Sequence, residues 1–244
     1  MKYHIFNTIE IETYNQCNGV CAFCPCNKNV DKRTPKFMGK KLFLKILQDL
    51  KNMKYEGEIN LFSNNEPLLD KRIFGFLRTT KAYLPKNKLV LFSNGSLLTM
   101  DNVNMVVDVV DRFVLDIYRK DKEVPNPLFS VIQYLQQPQY VNKCEFYLID
   151  PDSKRTTRGG KSPNNLHANV DQFCTLPFRQ MIIRPDGGCS QCICDTYGDV
   201  TLGDTNKQTL EEIWYSKPYI DLRDKMLSGW RKDLPICKEC DTIG

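Results

Sequence analysis

The chain has 244 residues, of which 41% are hydrophobic and 26% charged, with a formal net charge of +5 at pH 7. This composition predicts a globular protein with one core and a small appendage. No stretch reaches the roughly 18 consecutive apolar residues of a membrane helix, and no signal-peptide pattern opens the sequence, so we expect a cytoplasmic protein without membrane contact.

Strand and helix patterns alternate through the first 150 residues. Strands are predicted at 9–13, 58–62, 88–92, 112–117 and 143–149, and helices at 40–53, 71–84, 99–110 and 128–135. This alternation favours a parallel sheet with right-handed crossovers. Because five units are too few for a complete eightfold barrel, the sequence predicts an α/β fold with a partial (β/α) barrel.

The alternation stops at residues 151–167, which we interpret as a linker. Beyond it, segments 180–184 and 189–194 predict a hairpin, and two short helices follow at 210–216 and 218–227. Six of the 11 cysteines lie in this last third of the chain. We therefore predict two domains, comprising residues 1–165 and 166–244.

Three cysteines follow the first predicted strand in the pattern CxxxCxxC, at Cys17, Cys21 and Cys24. Disulfides are rare in a reducing compartment, so this spacing points to metal or redox chemistry. Three thiolates from one loop bind three irons of a cubane cluster and leave the fourth iron open. A structural zinc site requires four protein ligands that leave no open position, and the chain has only two histidines.

This motif, with an aromatic residue (Phe23) before its third cysteine, resembles the signature of the radical S-adenosylmethionine (SAM) superfamily. The resemblance implies a [4Fe–4S] cluster whose open iron binds SAM, with Phe23 near the adenine. It also implies a partial barrel with its site at the carboxyl ends of the strands, which agrees with the alternation of strands and helices.

Two further segments resemble SAM-binding motifs of that superfamily. SNNEP at 63–67 follows the second predicted strand and resembles its GGEP motif, with asparagines in place of both glycines. The resemblance implies that Asn65 and Glu66 bind SAM. After the third strand, Ser93 and Asn94 precede a glycine and resemble a turn that lies beside SAM; an ordinary strand-to-helix turn is the alternative.

A second cysteine set closes the chain. Its spacing resembles the SPASM domain in the shortened form called a twitch domain, as does the segment LGD…LEEIW at 202–214. The resemblance implies a second, auxiliary [4Fe–4S] cluster, and a four-cysteine zinc ribbon is the alternative. The implied ligands are Cys174, Cys192, Cys237 and Cys240.

Within this subgroup the chain is most similar to twitch-type dehydrogenases of 2-deoxy-scyllo-inosamine, an aminocyclitol. The resemblance implies that a 5′-deoxyadenosyl radical takes hydrogen from a carbon bearing a hydroxyl, and that the auxiliary cluster accepts the second electron. Arg158 is a candidate for polarising or deprotonating a substrate hydroxyl, or for binding a carboxylate or SAM, with a solvated linker arginine as the alternative. Asp116 ends the fourth predicted strand and is a candidate substrate contact.

Three other functions stay open at this point. They are a peptide-modifying enzyme, a redox-neutral sugar epimerase in which Cys194 or Cys189 donates hydrogen, and a non-catalytic zinc or iron–sulfur module.

The expected partners are a small-molecule substrate and an external one-electron reductant of flavodoxin or ferredoxin type. Cys26 is expected beside the first cluster, and Cys144 in the core. The basic residues at 28–41 are interpreted as a solvated loop and helix start, not as a nucleic-acid surface.

Overall fold

The computed structural model describes residues 3–121, 123–164 and 172–244, which form one continuous mixed sheet covered by helices. Its order is β5-β4-β3-β2-β1-β6-β7-β8, and β1 to β6 pair in parallel whereas β7 and β8 are antiparallel. The strands are β1 (Thr8–Ile11), β2 (Glu58–Asn60), β3 (Leu89–Ser93), β4 (Arg112–Tyr118), β5 (Cys144–Ile149), β6 (Gln180–Ile183), β7 (Gly188–Ser190) and β8 (Thr201–Asp204).

The helices follow the predicted alternation. They are α1 (Lys40–Asn52), α2 (Ile73–Tyr83), α3 (Val103–Val107), α4 (Leu128–Leu135), α5 (Leu176–Arg179), α6 (Leu210–Trp214) and α7 (Lys217–Leu227). Among the described residues, no helix is long and apolar enough to cross a membrane.

The two faces of β1 separate the core from the site. Side chains alternate along a strand, so Ile9 and Ile11 join the apolar cluster beneath α1, which contributes Phe43. Each fully buried side chain of this kind contributes about 1.5–3 kcal/mol to folding. Glu10 lies on the opposite face of the sheet, where it accepts a 2.7 Å hydrogen bond from Gln180 Nε2 of β6. The inner face of the sheet therefore carries buried polar side chains at β1 and β6.

The structure changes one element of the predicted topology. The sequence places residues 180–184 in a hairpin of the second domain, but β6 also pairs in parallel with β1 over four residues. The sheet thus continues from the barrel strands into the C-terminal hairpin. The predicted boundary at 165/166 lies outside the described residues, and the division into two domains stays a prediction.

The predicted helix at 99–110 is shorter than expected, because α3 begins only after Asn102. The Asn102 side chain accepts a 2.9 Å hydrogen bond from the backbone N–H of Thr99 and donates to Leu97 O at 3.0 Å. These bonds hold residues 97–102 in turns, and an asparagine that binds nearby backbone competes with helix formation. Thr99 consequently caps no helix.

Candidate active site

A cavity of about 410 Å³ opens at the carboxyl ends of the parallel strands. Loops that follow β1, β2 and β3 line it, together with the end of β4 and the segment 155–158. Ile193, Cys194 and Thr242 from the last third of the chain complete the wall. The volume is typical of a site for small molecules.

The first cysteine motif lies on this wall, with Cys17, Cys21 and Cys24 all facing the cavity. Gly19 lies between the first two, where an added Cβ would be 3.3 Å from Cys17 Sγ and 3.8 Å from Cys21 Sγ. Its backbone N–H donates to Cys17 Sγ at 3.3 Å. The loop therefore brings the sulfur atoms of Cys17 and Cys21 close to one point beside Gly19.

The pKa values of these three thiols differ. Burial raises the pKa of Cys17 and of Cys21 to about 12. A hydrogen bond from the Cys26 thiol lowers the pKa of Cys24 to about 6. Iron ligands must be deprotonated, so cluster assembly has to displace protons from the other two thiols. Cys26 lies beside the motif as expected.

Glu66 joins the loops after β2 and β3. It is 1% exposed, and its carboxylate accepts hydrogen bonds from Leu68 N (3.0 Å), Ser93 Oγ (2.8 Å) and Asn94 N (2.7 Å). Burial raises the pKa of Glu66 to about 7, although these three donors oppose the shift. Glu66, Ser93 and Asn94 thus form one assembly on the cavity wall.

The neighbouring asparagines have different environments. Asn65 Oδ1 accepts from Ser63 N at 3.0 Å, whereas its buried Nδ2 has no hydrogen-bond partner among the described residues. An unpaired buried donor beside a cavity is costly unless a ligand binds it. Asn64 is fully engaged, because Arg158 Nη2 donates to its Oδ1 at 2.7 Å and its Nδ2 donates to Ile193 O at 3.0 Å.

Arg33 was expected in a solvated loop, and this prediction is wrong. Its guanidinium is nearly buried and pairs with Glu12 at 3.2 Å and with Asp31 at 2.8 Å. It also donates to Asn64 O at 2.7 Å. Burial raises the pKa of Glu12 to about 7 despite this pairing. Arg33 therefore fixes the cysteine loop to the loop after β2.

The alternative of a solvated linker arginine at position 158 is also wrong, because Arg158 lies on the cavity wall. Burial opposes its charge, but Cys194, Cys24 and other neighbours outweigh burial and raise the pKa of Arg158 above its usual value. It is therefore a permanent hydrogen-bond donor, and it is unsuited to act as a base.

Aromatic residues surround the far end of the cavity. The Phe23 and Tyr118 ring centroids are 5.9 Å apart, and the Arg155 guanidinium lies 5.1 Å from the Phe23 centroid. Asp116, two residues before Tyr118 on the same face of β4, accepts no hydrogen bond from the described residues, and burial raises its pKa. Sequence reasoning missed Tyr118, although the period of two from Asp116 identifies it.

The C-terminal cysteines lie directly behind this wall. The Cys194 thiol is within hydrogen-bond reach of Cys192 and Cys240, and 3.4 Å from Thr242 Oγ1. Cys240 in turn interacts electrostatically with Cys174 and Cys237. Contacts through Cys194 and Cys240 thus connect the four cysteines named as auxiliary ligands, and Cys194 also lines the cavity. Cys189 is fully buried in β7 and does not line the cavity.

Comparisons with known proteins agree with this arrangement. The model of the SPASM iron–sulfur cluster-binding domain matches residues 174–241. The chain is 23% identical over 241 residues to the S-adenosyl-L-methionine-dependent 2-deoxy-scyllo-inosamine dehydrogenase of Niallia circulans, covering 98% of this chain and 94% of the relative. The resemblance to the SPASM/twitch subgroup is confirmed.

The fold also matches solved structures. The crystal structure of BtrN in complex with AdoMet and 2-DOIA superposes with a TM-score of 0.86 at 22% identity, covering 99% of this chain and 95% of that one. Native anSMEcpe with bound AdoMet gives a TM-score of 0.60 at 12% identity, with coverages of 96% and 88%. The predicted α/β fold with a partial barrel is confirmed.

Proposed function

We propose that this chain is a radical SAM dehydrogenase, which oxidises a hydroxyl-bearing carbon of an aminocyclitol, a sugar or a similar small metabolite. One observation carries the proposal: the cysteines of the first predicted cluster site share a cavity wall with Cys194, which lies within hydrogen-bond reach of two cysteines of the second predicted site. Cys17, Cys21 and Cys24 line it, and so does Cys194, which contacts Cys192 and Cys240. A substrate in this cavity is therefore close to both sites. The likeness to a 2-deoxy-scyllo-inosamine dehydrogenase supports the same reaction class.

The residues fit two [4Fe–4S] clusters and SAM. Cys17, Cys21 and Cys24 would hold the first cluster through three sulfur ligands. The second would be held by Cys174, Cys192, Cys237 and Cys240. When bound, these groups and SAM supply one electron, a hydrogen-abstracting 5′-deoxyadenosyl radical and an acceptor for the second substrate electron.

The SAM side of the cavity is assigned to the residues after β1, β2 and β3. Phe23 would face the adenine, and the unpaired Nδ2 of Asn65 would donate to the SAM carboxylate. Glu66 would accept from the SAM amino group, while Ser93 and Asn94 orient the Glu66 carboxylate through their hydrogen bonds.

The substrate side is assigned to Arg158, Asp116 and Cys194. Arg158, held by Asn64, would donate a hydrogen bond to the substrate oxygen that becomes a carbonyl. Asp116, whose oxygens accept no hydrogen bond within the part of the chain that the structure describes, would bind a substrate hydroxyl or ammonium group. Loss of one hydrogen atom, one proton and one electron leaves a ketone two mass units lighter. Anaerobic reactions with candidate aminocyclitols and sugars, followed by mass spectrometry, test this directly.

A redox-neutral epimerase is the second candidate, because the Cys194 thiol does line the cavity. An epimerase needs such a thiol to return hydrogen to the opposite face of the substrate, whereas a dehydrogenase does not. Peptide modification, the external flavodoxin- or ferredoxin-type reductant and the cytoplasmic location stay predictions.

We expect Glu66→Gln to weaken SAM binding to the reconstituted protein by about 1.5–3 kcal/mol, the loss typical of a charged hydrogen bond. Glutamine keeps the size of the side chain but removes the charge that accepts from the SAM amino group. Isothermal titration under anaerobic conditions measures the affinity.

Glu58→Gln is the control for this variant, since Glu58 begins β2 at the opposite end and pairs with Lys88 at 3.1 Å. It should bind SAM like the unmodified protein. Unchanged affinity in Glu66→Gln, with iron content and thermal unfolding also unchanged, would remove Glu66 from the SAM site.

A further inference from the structure

Two buried arginines in the last third of the chain form no ion pair with any carboxylate of residues 3–121, 123–164 and 172–244. They are Arg223, which is 0% exposed, and Arg231, which is 4% exposed. A buried charge without compensation costs several kcal/mol, so each guanidinium requires a partner.

Arg223 has an evident partner. Its guanidinium lies 3.9 Å from the ring centroid of Trp214, 4.7 Å from that of Tyr219 and 5.0 Å from that of Tyr3. Three aromatic faces attract a cation, and such a contact is strongest where it is shielded from water. The charge of Arg223 is therefore compensated within the fold.

Arg231 has no such aromatic contact among the described residues. Its Nη1 donates to Gln172 O at 2.6 Å, and its Nη2 donates to Cys240 O at 2.5 Å and Thr242 O at 2.7 Å. Its Nε has no hydrogen-bond partner there. Carbonyl oxygens satisfy donors but carry no net charge, so no carboxylate of the described residues compensates the positive charge of Arg231.

The position of Arg231 identifies what compensates it. The three carbonyls belong to the two chain segments that carry Cys174 and Cys240, and the charge of Arg231 also acts on Cys174 and Cys237. An iron–sulfur cluster with four thiolate ligands is an anion, and it becomes more negative when it accepts an electron. A cation held beside it stabilises the reduced form most.

A second side chain, Gln191, stabilises the reduced cluster as Arg231 does. Gln191 is 1% exposed and directs its Nε2 to Cys237 Sγ at 2.8 Å. Hydrogen bonds to the sulfur atoms of a cluster are among the features that set its reduction potential. This donor also becomes more favourable as the sulfur becomes more negative, which again stabilises the reduced cluster.

We propose that Arg231 is the counter-charge of the auxiliary cluster, and that Arg231 and Gln191 raise the reduction potential of this cluster so that it accepts the substrate electron. This inference rests on the proposed function. Arg231 acts through the cluster and not on the substrate, so it is a positioning residue.

The test is a redox titration of the full reconstituted protein followed by electron paramagnetic resonance. The auxiliary signal is the one that persists when Cys17, Cys21 and Cys24 are replaced by alanine. In Arg231→Gln the reduction equilibrium should shift at least tenfold toward the oxidised cluster, which is about 59 mV more negative for one electron. Arg231→Lys should keep most of the potential, because it keeps the charge. Gln191→Met should give a smaller shift with the same sign.

Two controls accompany these variants. Lys232→Gln removes an exposed charge from the same turn and should leave the potential unchanged, since solvent screens it. Asp171 precedes Gln172 but lies outside the described residues; Asp171→Asn should also leave the potential unchanged. A positive shift in Asp171→Asn would make Asp171 the counter-ion of Arg231 and overturn the proposal.

An unchanged potential in Arg231→Gln and Gln191→Met, with the cluster fully occupied, would also overturn it. So would loss of the cluster in both Arg231→Gln and Arg231→Lys, because that result assigns Arg231 a purely structural role. If Arg231→Gln loses the cluster but Arg231→Lys keeps it, the reduction potential of Gln191→Met decides whether the proposal stands. Absence of any auxiliary signal in the unmodified protein would instead contradict the proposed function itself.

Discussion

Replacing Cys17, Cys21 and Cys24 together by alanine should lower the iron content from about eight to about four per chain and abolish SAM cleavage. The three sulfur atoms line the cavity and form the only predicted ligand set with an open iron. Without them SAM has no metal to bind and no electron source. Iron analysis and the release of 5′-deoxyadenosine from dithionite-reduced protein measure the two effects.

Cys144→Ala is the control for this triple variant. Cys144 is 8% exposed at the beginning of β5 and belongs to the apolar core, as expected from its strand position. This variant should keep about eight irons and release 5′-deoxyadenosine at the unmodified rate. Full iron content or continued SAM cleavage in the triple variant would place the first cluster elsewhere.

Replacing Cys237 and Cys240 by alanine should separate SAM cleavage from substrate oxidation. These residues lie behind the cavity wall that Cys194 lines, whereas the first cysteine motif is untouched. We expect about four irons and continued release of 5′-deoxyadenosine. Ketone formation should fall at least 100-fold, which corresponds to about 2.7 kcal/mol of barrier, because the substrate radical lacks an acceptor for its second electron.

Cys189→Ala is the matched control, because Cys189 is another cysteine of the last third of the chain but is buried in β7 away from the cavity. It should keep both iron and ketone formation. Ketone formation at the normal rate in Cys237→Ala/Cys240→Ala would show that the second electron leaves by another route. Zinc in place of the second four irons would favour the zinc-ribbon alternative.

Local patterns predicted much of the fold and the position of the first motif. The helical period of residues 40–53 and the alternation at 112–117 depend only on neighbours in sequence, and α1 and β4 end within one residue of these predictions. The cysteine loop was found because its spacing is itself the chemical signal.

The features of the fold and the site that the sequence did not predict depend on contacts between segments that are distant along the chain. Nothing near Gln180 indicates that β6 pairs with β1, because that pairing joins distant residues such as Thr8 and Gln180. Arg33 and Arg231 have ordinary surroundings in sequence, and only the folded chain shows that Arg33 is nearly buried and Arg231 buried. Asn64 similarly acquires its role from Arg158 and Ile193, which reach it from far along the chain.

The central claim is oxidation by two electrons, and product analysis in heavy water tests it most directly. With an aminocyclitol or sugar that is turned over, we predict a product two mass units lighter than the substrate and no solvent deuterium at the reacting carbon. Cys194→Ala should keep substantial turnover, because oxidation needs no hydrogen donor. A product that gains one deuterium without other change in mass, and that is lost in Cys194→Ala, would contradict the dehydrogenase and establish the epimerase.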